Sequence, residues 1–185
     1  CAKRMGYPVI LRPAYTMSGA GGGIVYSDDE LVEVFTRGLK ASLIGQVLVE
    51  QSLHGWQEVE LEILRDEQNH MITVGAVENV DPVGIHTGDS LCVSPMMTIP
   101  KDVQGVLQQT AYTIMEAMNV TGSMTVQFAY DRHTGRIVVI EGNMRLSRTS
   151  SLLSKITGLS VPSVAVQLAF GVTLDELPHR MEEQA

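Results

Sequence analysis

The sequence predicts a chain of the α+β class, in which strands and amphipathic helices alternate along one segment. Several short runs are rich in β-branched and apolar residues, and residues 125–130 and 136–141 read as the two strands of a hairpin. Residues 102–118 instead repeat apolar side chains at helical spacing. We therefore expect antiparallel strands against which helices pack.

Composition excludes several classes of partner. With 185 residues, 44% of them hydrophobic and 18% charged, the chain can form one or two domains with a real core. A net charge of −8, without a basic stripe, argues against nucleic acid. No apolar run reaches the roughly 20 residues of a membrane span. Cys1 and Cys92 are too few for a disulfide scaffold, which favours a reducing compartment, and we expect the cytoplasm.

The first fifty residues predict strands at 8–13, 24–26 and 46–50, and a helix that begins at the Ser27–Glu30 capping box. The glycine-rich loop 16–23 can fold over a phosphate, because its backbone N–H groups have no side chains in the way. Arg12, just before the loop, strengthens that interpretation, and a flexible hairpin is the alternative. The irregular link 51–56 suits either an adenine or a plain domain hinge.

The middle of the chain predicts two strands, 57–65 and 71–78, and a polar turn at 81–90. Alternation along the first strand puts three glutamates on one face. We expect Glu60 and Glu62 to be solvated, whereas Glu58, nearest the link, can accept from a ribose hydroxyl. His86 lies among glycines and polar residues of the turn, which favours a ligand-facing donor over a structural histidine.

The last third predicts the helix 102–118, the hairpin, and helices at 149–157 and 161–170. We expect the first of these helices to pack against the sheet through six side chains: Val103, Val106, Leu107, Ala111, Ile114 and Met118.

The hairpin carries the strongest chemical signal. A loop at 132–136 sets Asp131 opposite Ile137 and Gln127 opposite Glu141, with Cβ atoms about 4.5–5.5 Å apart. Asn143 continues the face of Glu141, so amide and carboxylate oxygens share one patch, and these are ligands that Mg²⁺ or Mn²⁺ prefers. The open alternative is a salt bridge from Glu141 to Arg145, or to Arg148, because a buried carboxylate needs a cation.

These motifs together resemble the ATP-grasp family. The most specific is Gly-Ile-His-Thr-Gly-Asp-Ser at 84–90. The matching stretches extend over nearly the whole chain: residues 6–13, 21–24, 50–56, 84–90, 126–129, 140–145 and 154–158. Within the family, the chain is most similar to the amino-terminal, carboxyphosphate-forming halves of carbamoyl phosphate synthetase large subunits.

The resemblance implies an ATP-grasp fold that lacks its amino-terminal domain, with a lid subdomain at 1–55 and a metal- and nucleotide-binding subdomain at 56–185. Carried over by position, the nucleotide-binding residues are Arg12, Ser18, Gly19, Gln51, Leu53, Glu58, Gly84, Ile85, His86, Gln127 and Glu141. The implied metal ligands are Gln127, Glu141 and Asn143, and the implied catalytic residues are Asn143 and Arg145.

The resemblance also implies an ATP-dependent ligase that uses Mg²⁺ or Mn²⁺ and phosphorylates bicarbonate. Its implied partners are the remainder of the large subunit and a glutaminase subunit or domain that supplies ammonia. We expect residue 1 to lie inside a domain and the chain alone to be inactive.

The chain departs from the family pattern at three positions. Ser18 replaces a usual glycine, Gln51 a usual acid, and Met144 the usual proline after Asn143. Two alternatives are another carboxylating ATP-grasp ligase, such as a biotin carboxylase, against which the run at 84–90 argues, and a non-catalytic nucleotide-binding module, which Ser18 and Met144 favour.

Overall fold

The computed structural model describes residues 2–16, 20–85 and 89–177, so the predicted site residues Ser18, Gly19 and His86 lie outside the described residues. The chain divides into two compact units, Cys1–Leu53 and His54–Ala185. The boundary thus follows Leu53, compared with a predicted boundary after residue 55. Each unit has its own antiparallel sheet.

In its described part, the first unit is a three-stranded sheet with two helices. Its elements are α1 (Ala2–Met5), β1 (Val9–Pro13), β2 (Gly23–Val25), α2 (Asp28–Ala41) and β3 (Val47–Gln51). The central strand β1 pairs with β2 on one side and with β3 on the other. Ser27 caps α2, because its side chain accepts a hydrogen bond from the Glu30 backbone N–H at 3.3 Å. The predicted start of this helix is therefore confirmed.

Over the residues described, the second unit is a five-stranded sheet in the order β6-β5-β4-β7-β8, with three α-helices. Its elements are β4 (Gln57–Arg65), β5 (Met71–Asn79), β6 (Cys92–Val93), α3 (Lys101–Ala117), β7 (Gly122–Tyr130), β8 (Ile137–Asn143), α4 (Arg148–Thr157), α5 (Val161–Ala169) and a 3₁₀ turn, Leu174–Glu176.

Helices cover both faces of this second sheet. On one face, Val59 and Leu61 of β4 pack with Leu107 of α3 in the main core. On the other face, Leu64 of β4 packs with Val161 of α5 in a second core. The prediction for α3 is wrong at two positions, because Val106 and Met118 are about half exposed. The other four predicted residues face the sheet: Leu107 and Ala111 are buried in the core, and Val103 and Ile114 are partly buried against it.

Coverage of both faces corrects the prediction for the glutamates of β4. Glu60 is 3% exposed and Glu62 is 0% exposed, so the expected solvated face is wrong. The strand lies in the middle of the sheet between β5 and β7, and serines at the start of α4 lie against its polar side chains.

Among the described residues, no single helix has the length and apolar character to cross a membrane. The pair α4 and α5, bent by 108°, reaches that length and composition only when the two are taken together.

Candidate functional site

The β7–β8 hairpin pairs Gln127 with Glu141 and Thr125 with Asn143. The predicted pairing of Gln127 with Glu141 is therefore confirmed. Paired residues on neighbouring strands point to the same face of a sheet, so these four side chains share one face.

The register beside the turn differs from the prediction. Tyr130 pairs with Ile137, which was expected to pair with Asp131. A bulge between Gln127 and Phe128 places one extra residue, Ile140, on β8. The extra residue shifts the pairing by one position and so restores the Gln127–Glu141 pair.

Strand β4 extends this polar face. Glu60 pairs with Gln127, and Glu62 pairs with Thr125. Two rows of polar side chains thus run across three strands. The first row is Glu60, Gln127 and Glu141, and the second is Glu62, Thr125 and Asn143.

Two amide–carboxylate hydrogen bonds orient this face. Gln127 Nε2 donates to Glu60 Oε2 at 3.0 Å, and Asn143 Nδ2 donates to Glu141 Oε1 at 2.8 Å. Each amide nitrogen is bound to a carboxylate, so each amide oxygen is turned away from that carboxylate. Amide and carboxylate oxygens are the hard donors that Mg²⁺ and Mn²⁺ prefer, and the donor set therefore fits such a cation.

The donor set depends on amides as well as carboxylates. Within the described ranges, no three His, Cys, Asp or Glu side chains gather into a metal-binding group. The candidate ligands on this face therefore combine the carboxylate of Glu141 with the amide oxygens of Gln127 and Asn143.

The arginines after the hairpin do not neutralise Glu141 as the alternative interpretation requires. Arg145 Nη1 donates to the Leu146 carbonyl oxygen at 3.2 Å, and Arg148 pairs with Asp89 at 2.9 Å. In the part of the chain that the structure describes, Glu141 and Arg145 form no ion pair, so the proposed salt bridge between them is wrong.

Serines hold the buried carboxylates of β4 in place. Ser147 caps α4 and donates to Glu60 Oε1 at 3.4 Å. Ser150 donates to Glu62 Oε2 at 2.7 Å, and Ser123 donates to the other oxygen of Glu62. The sequence interpretation missed this network, although the serine-rich start of α4 was a visible signal.

The carboxylates make this face electrostatically negative. Burial raises the pKa of Glu62, the hydrogen bonds from Ser123 and Ser150 oppose that rise, and the charge of Glu60 adds to it. Burial, and then the charge of Glu60, likewise raise the pKa of the Cys92 thiol. A cation on this face would offset the mutual repulsion of these groups.

Two buried polar side chains of the second unit have atoms without hydrogen-bond partners among the described residues. They are the Thr125 hydroxyl and both amide atoms of Asn79. Thr125 lies between Glu62 and Asn143 in the second polar row. A buried polar group without a partner costs about 1–3 kcal/mol, so each is a position for a water molecule or a ligand. Neither residue was identified from the sequence.

The other predicted residues of this unit lie near the ends of β4 and β5. Glu58 is 5% exposed and pairs with Ala129. Gly84 has a φ of +103°, a value that favours glycine, and Ile85 is exposed. The Ile85 carbonyl oxygen accepts a hydrogen bond from Ser90 Oγ at 3.3 Å.

Three predicted nucleotide-binding residues belong to the first unit. Arg12 on β1 forms an ion pair with Glu50 on β3 at 2.7 Å. Gln51 ends β3 and is exposed, and Leu53 follows it and is partly buried. The structure thus brings together Gln127, Glu141 and Asn143 on the second sheet, and it places Arg12, Gln51 and Leu53 in a separate unit.

Comparison with protein families and relatives gives a consistent result. Residues 1–177 match the family described as carbamoyl-phosphate synthase L chain, ATP binding domain. The carbamoyl phosphate synthase large chain of Thermoanaerobacter sp. (strain X514) is 46% identical over 176 residues, and that of Clostridium perfringens (strain SM101 / Type A) is 48% identical over 176 residues. These alignments cover 95% of this chain but only 16% of each relative's length.

Solved structures resemble this chain in fold. A biotin carboxylase–βγ-ATP complex from Campylobacter jejuni matches with a TM-score of 0.79 at 22% identity, over 97% of this chain and 40% of that one. The biotin carboxylase domain of Hydrogenobacter thermophilus 2-oxoglutarate carboxylase, in complex with MgADP, ADP and bicarbonate, matches with a TM-score of 0.75 at 21% identity, with the same coverage. The predicted ATP-grasp fold is thereby confirmed.

Proposed function

Because the chain belongs to the family described as carbamoyl-phosphate synthase L chain, ATP binding domain, we propose that it binds ATP with Mg²⁺ and phosphorylates bicarbonate to carboxyphosphate. The observation that carries this proposal is the register that sets Gln127 opposite Glu141, with Asn143 on the same strand. The chain spans 16% of its relatives' length. We therefore propose that it acts within a cytoplasmic large chain, with a glutaminase subunit or domain as the source of ammonia.

The proposed chemistry is in-line transfer of the γ-phosphoryl group to a bicarbonate oxygen. A divalent cation, when bound, neutralises charge on the phosphate oxygens during transfer. Gln127, Glu141 and Asn143 would hold that cation, Mg²⁺ or alternatively Mn²⁺, because their oxygens form the hard donor set of this face. Arg145 would release the Leu146 carbonyl and bind the transferred group, so that its fixed charge stabilises the transition state.

The remaining predicted residues would bind the nucleotide. Glu58, already buried on β4, would accept from a ribose hydroxyl, and Gly84 and Ile85 would line the nucleotide. Arg12 would exchange its ion pair with Glu50 for a phosphate. Gln51 and Leu53 would contact the adenine. Ser18, Gly19 and His86 would also bind the nucleotide, as the family resemblance implies.

Binding by the purified chain tests the cation and nucleotide sites. Isothermal titration should detect Mg²⁺–ATP binding that Glu141→Ala removes. Glu67→Ala is the matched control, because Glu67 is also an exposed glutamate but lies in the turn after β4, outside the polar face. Equal Mg²⁺–ATP affinity in wild type and Glu141→Ala would refute the cation assignment.

Turnover tests the reaction itself. The large chain that carries this segment should release ADP in a bicarbonate-dependent manner, whereas the isolated chain should bind Mg²⁺–ATP without turnover. In-line transfer requires both reactants to be positioned and water to be excluded, and we propose that other parts of the large chain supply this. Mg²⁺–ATP binding without turnover in the large chain would instead support a non-catalytic nucleotide-binding module, the function that the exposed Met144 after Asn143 favours.

A further inference from the structure

The side-chain amide of Gln127 has two possible orientations, and only one of them suits a cation. Rotation of the terminal amide exchanges its oxygen and nitrogen, which have nearly the same shape. Only the oxygen can bind a cation, because the amide nitrogen has no lone pair available. The orientation of Gln127 therefore decides whether this face can hold a metal ion.

Glu60 determines that orientation. Gln127 Nε2 donates to Glu60 Oε2 at 3.0 Å. An ionised carboxylate accepts hydrogen bonds and donates none, so reversing the amide would lose this bond and bring two oxygens together. The strand pairing of Glu60 with Gln127 keeps the two side chains adjacent.

Glu60 is itself held in one arrangement. It is 3% exposed, and its second oxygen, Oε1, accepts from Ser147 at the start of α4. Both carboxylate oxygens thus have partners within the protein. Glu141, by contrast, is exposed and accepts from Asn143 through Oε1. The two carboxylates of the row therefore differ in their access to a ligand.

From this difference we propose that Glu60 is a positioning residue of the metal site. It fixes the side of the Gln127 amide on which the oxygen lies, and it does not bind the cation itself. The inference rests on the proposed function, and it adds a residue, Glu60, that affects cation binding only by orienting Gln127. Residues that orient metal ligands typically contribute about 10- to 100-fold to metal affinity.

A double-mutant cycle on Mn²⁺ affinity tests the proposal, with free Mn²⁺ measured by electron paramagnetic resonance. Glu60→Ala and Gln127→Ala should each raise the Kd for Mn²⁺ by about tenfold or more. The double variant should bind no more weakly than Gln127→Ala, because Glu60 acts only through Gln127. If the increases in Kd for Mn²⁺ of the two single variants multiply in the double variant, Glu60 binds the cation independently of Gln127. If Glu60→Ala leaves the Kd unchanged, Glu60 has no role in cation binding. Either result overturns the proposal.

Conservative variants separate positioning from folding. Glu60→Gln can still accept from Gln127 but can also offer an N–H group, so its affinity should lie between wild type and Glu60→Ala. Glu78→Gln is the matched control, because Glu78 is 4% exposed and binds the Thr98 and Met97 backbone N–H groups instead of a residue of the polar face. Its Mn²⁺ Kd should equal that of wild type, and a Kd that rises as much as in Glu60→Gln would overturn the proposal. A wild-type chain that binds no Mn²⁺ refutes the proposed function as well, whereas multiplied losses refute the positioning role alone.

Discussion

Replacement of Glu62 by glutamine should change how the stability of the protein depends on pH. Glu62 is fully buried, and burial raises its pKa above the ordinary value of 4.5, despite hydrogen bonds from Ser123 and Ser150. The folded protein thus binds this proton more tightly than the unfolded chain does. The contribution of Glu62 to stability is therefore fully present below pH 4.5 and is lost as the pH rises through the folded-state pKa.

Titration of a single group limits how steeply the free energy of unfolding can depend on pH. Between the unfolded and folded pKa values, the wild type should lose at most about 1.36 kcal/mol of unfolding free energy per pH unit through this group. Glutamine has the same shape and no charge. Either serine hydroxyl can rotate to accept from the new amide, so Glu62→Gln should leave no buried donor without a partner.

Urea unfolding followed by circular dichroism measures the difference. The free energy of unfolding of Glu62→Gln, relative to wild type, should increase as the pH rises above 4.5. Glu67→Gln is the control for removal of a carboxylate that is not buried, because Glu67 is exposed in the turn after the same strand. A constant difference for Glu62→Gln would refute the effect of burial. A difference that moves in favour of wild type at higher pH would mean that the serine hydrogen bonds outweigh burial.

Three further variants test other parts of the second unit. Glu141→Ala should abolish metal-dependent ATP turnover in the large chain, yet change the free energy of unfolding by no more than about 0.5 kcal/mol, because the side chain is exposed. Gly75→Ala should destabilise the protein by about 1–3 kcal/mol in urea unfolding, because its Cβ would lie 2.7 Å from Cδ2 of the fully buried Leu153. For Asp66, burial opposes ionisation, but hydrogen bonds from Leu174 and His70 lower its pKa below the ordinary 3.8. Asp66→Asn should therefore be less stable than wild type at neutral pH, and this deficit should shrink as the pH falls below 3.8.

Each of these expectations has a clear contrary result. If Glu141→Ala turned over ATP at the wild-type rate, Glu141 would not be a metal ligand. For the glycine, Gly105→Ala is the control, since a Cβ there meets no atom within 4 Å and should stabilise the helix by about 0.5–1 kcal/mol. If Gly75→Ala had the same free energy of unfolding as wild type, the Leu153 side chain would be able to move away from the new Cβ without loss of stability. An Asp66→Asn deficit that grows in acid would contradict the lowered pKa.

Local sequence patterns were sufficient for the two strands of the hairpin and for its central pair. The two-residue alternation of β7 and β8 predicts that Gln127 lies opposite Glu141, and the structure confirms this pair, although the register beside the turn differs and a bulge at Ile140 compensates for the difference. The Ser27–Glu30 capping box likewise predicts where α2 begins. These features depend on residues close together in the chain, so their physical causes are visible in a single short stretch of sequence.

The burial of β4 was decided by tertiary structure. The alternation of Glu58, Glu60 and Glu62 is compatible both with a solvated face and with a buried polar face. What distinguishes the two is contact with residues far along the chain: Gln127 for Glu60, and Ser150 for Glu62. The strand is buried because the sheet order places it between β5 and β7, with α4 beginning beside its glutamates. Local periodicity specifies which side chains share a face, but the packing of distant elements determines whether water reaches that face.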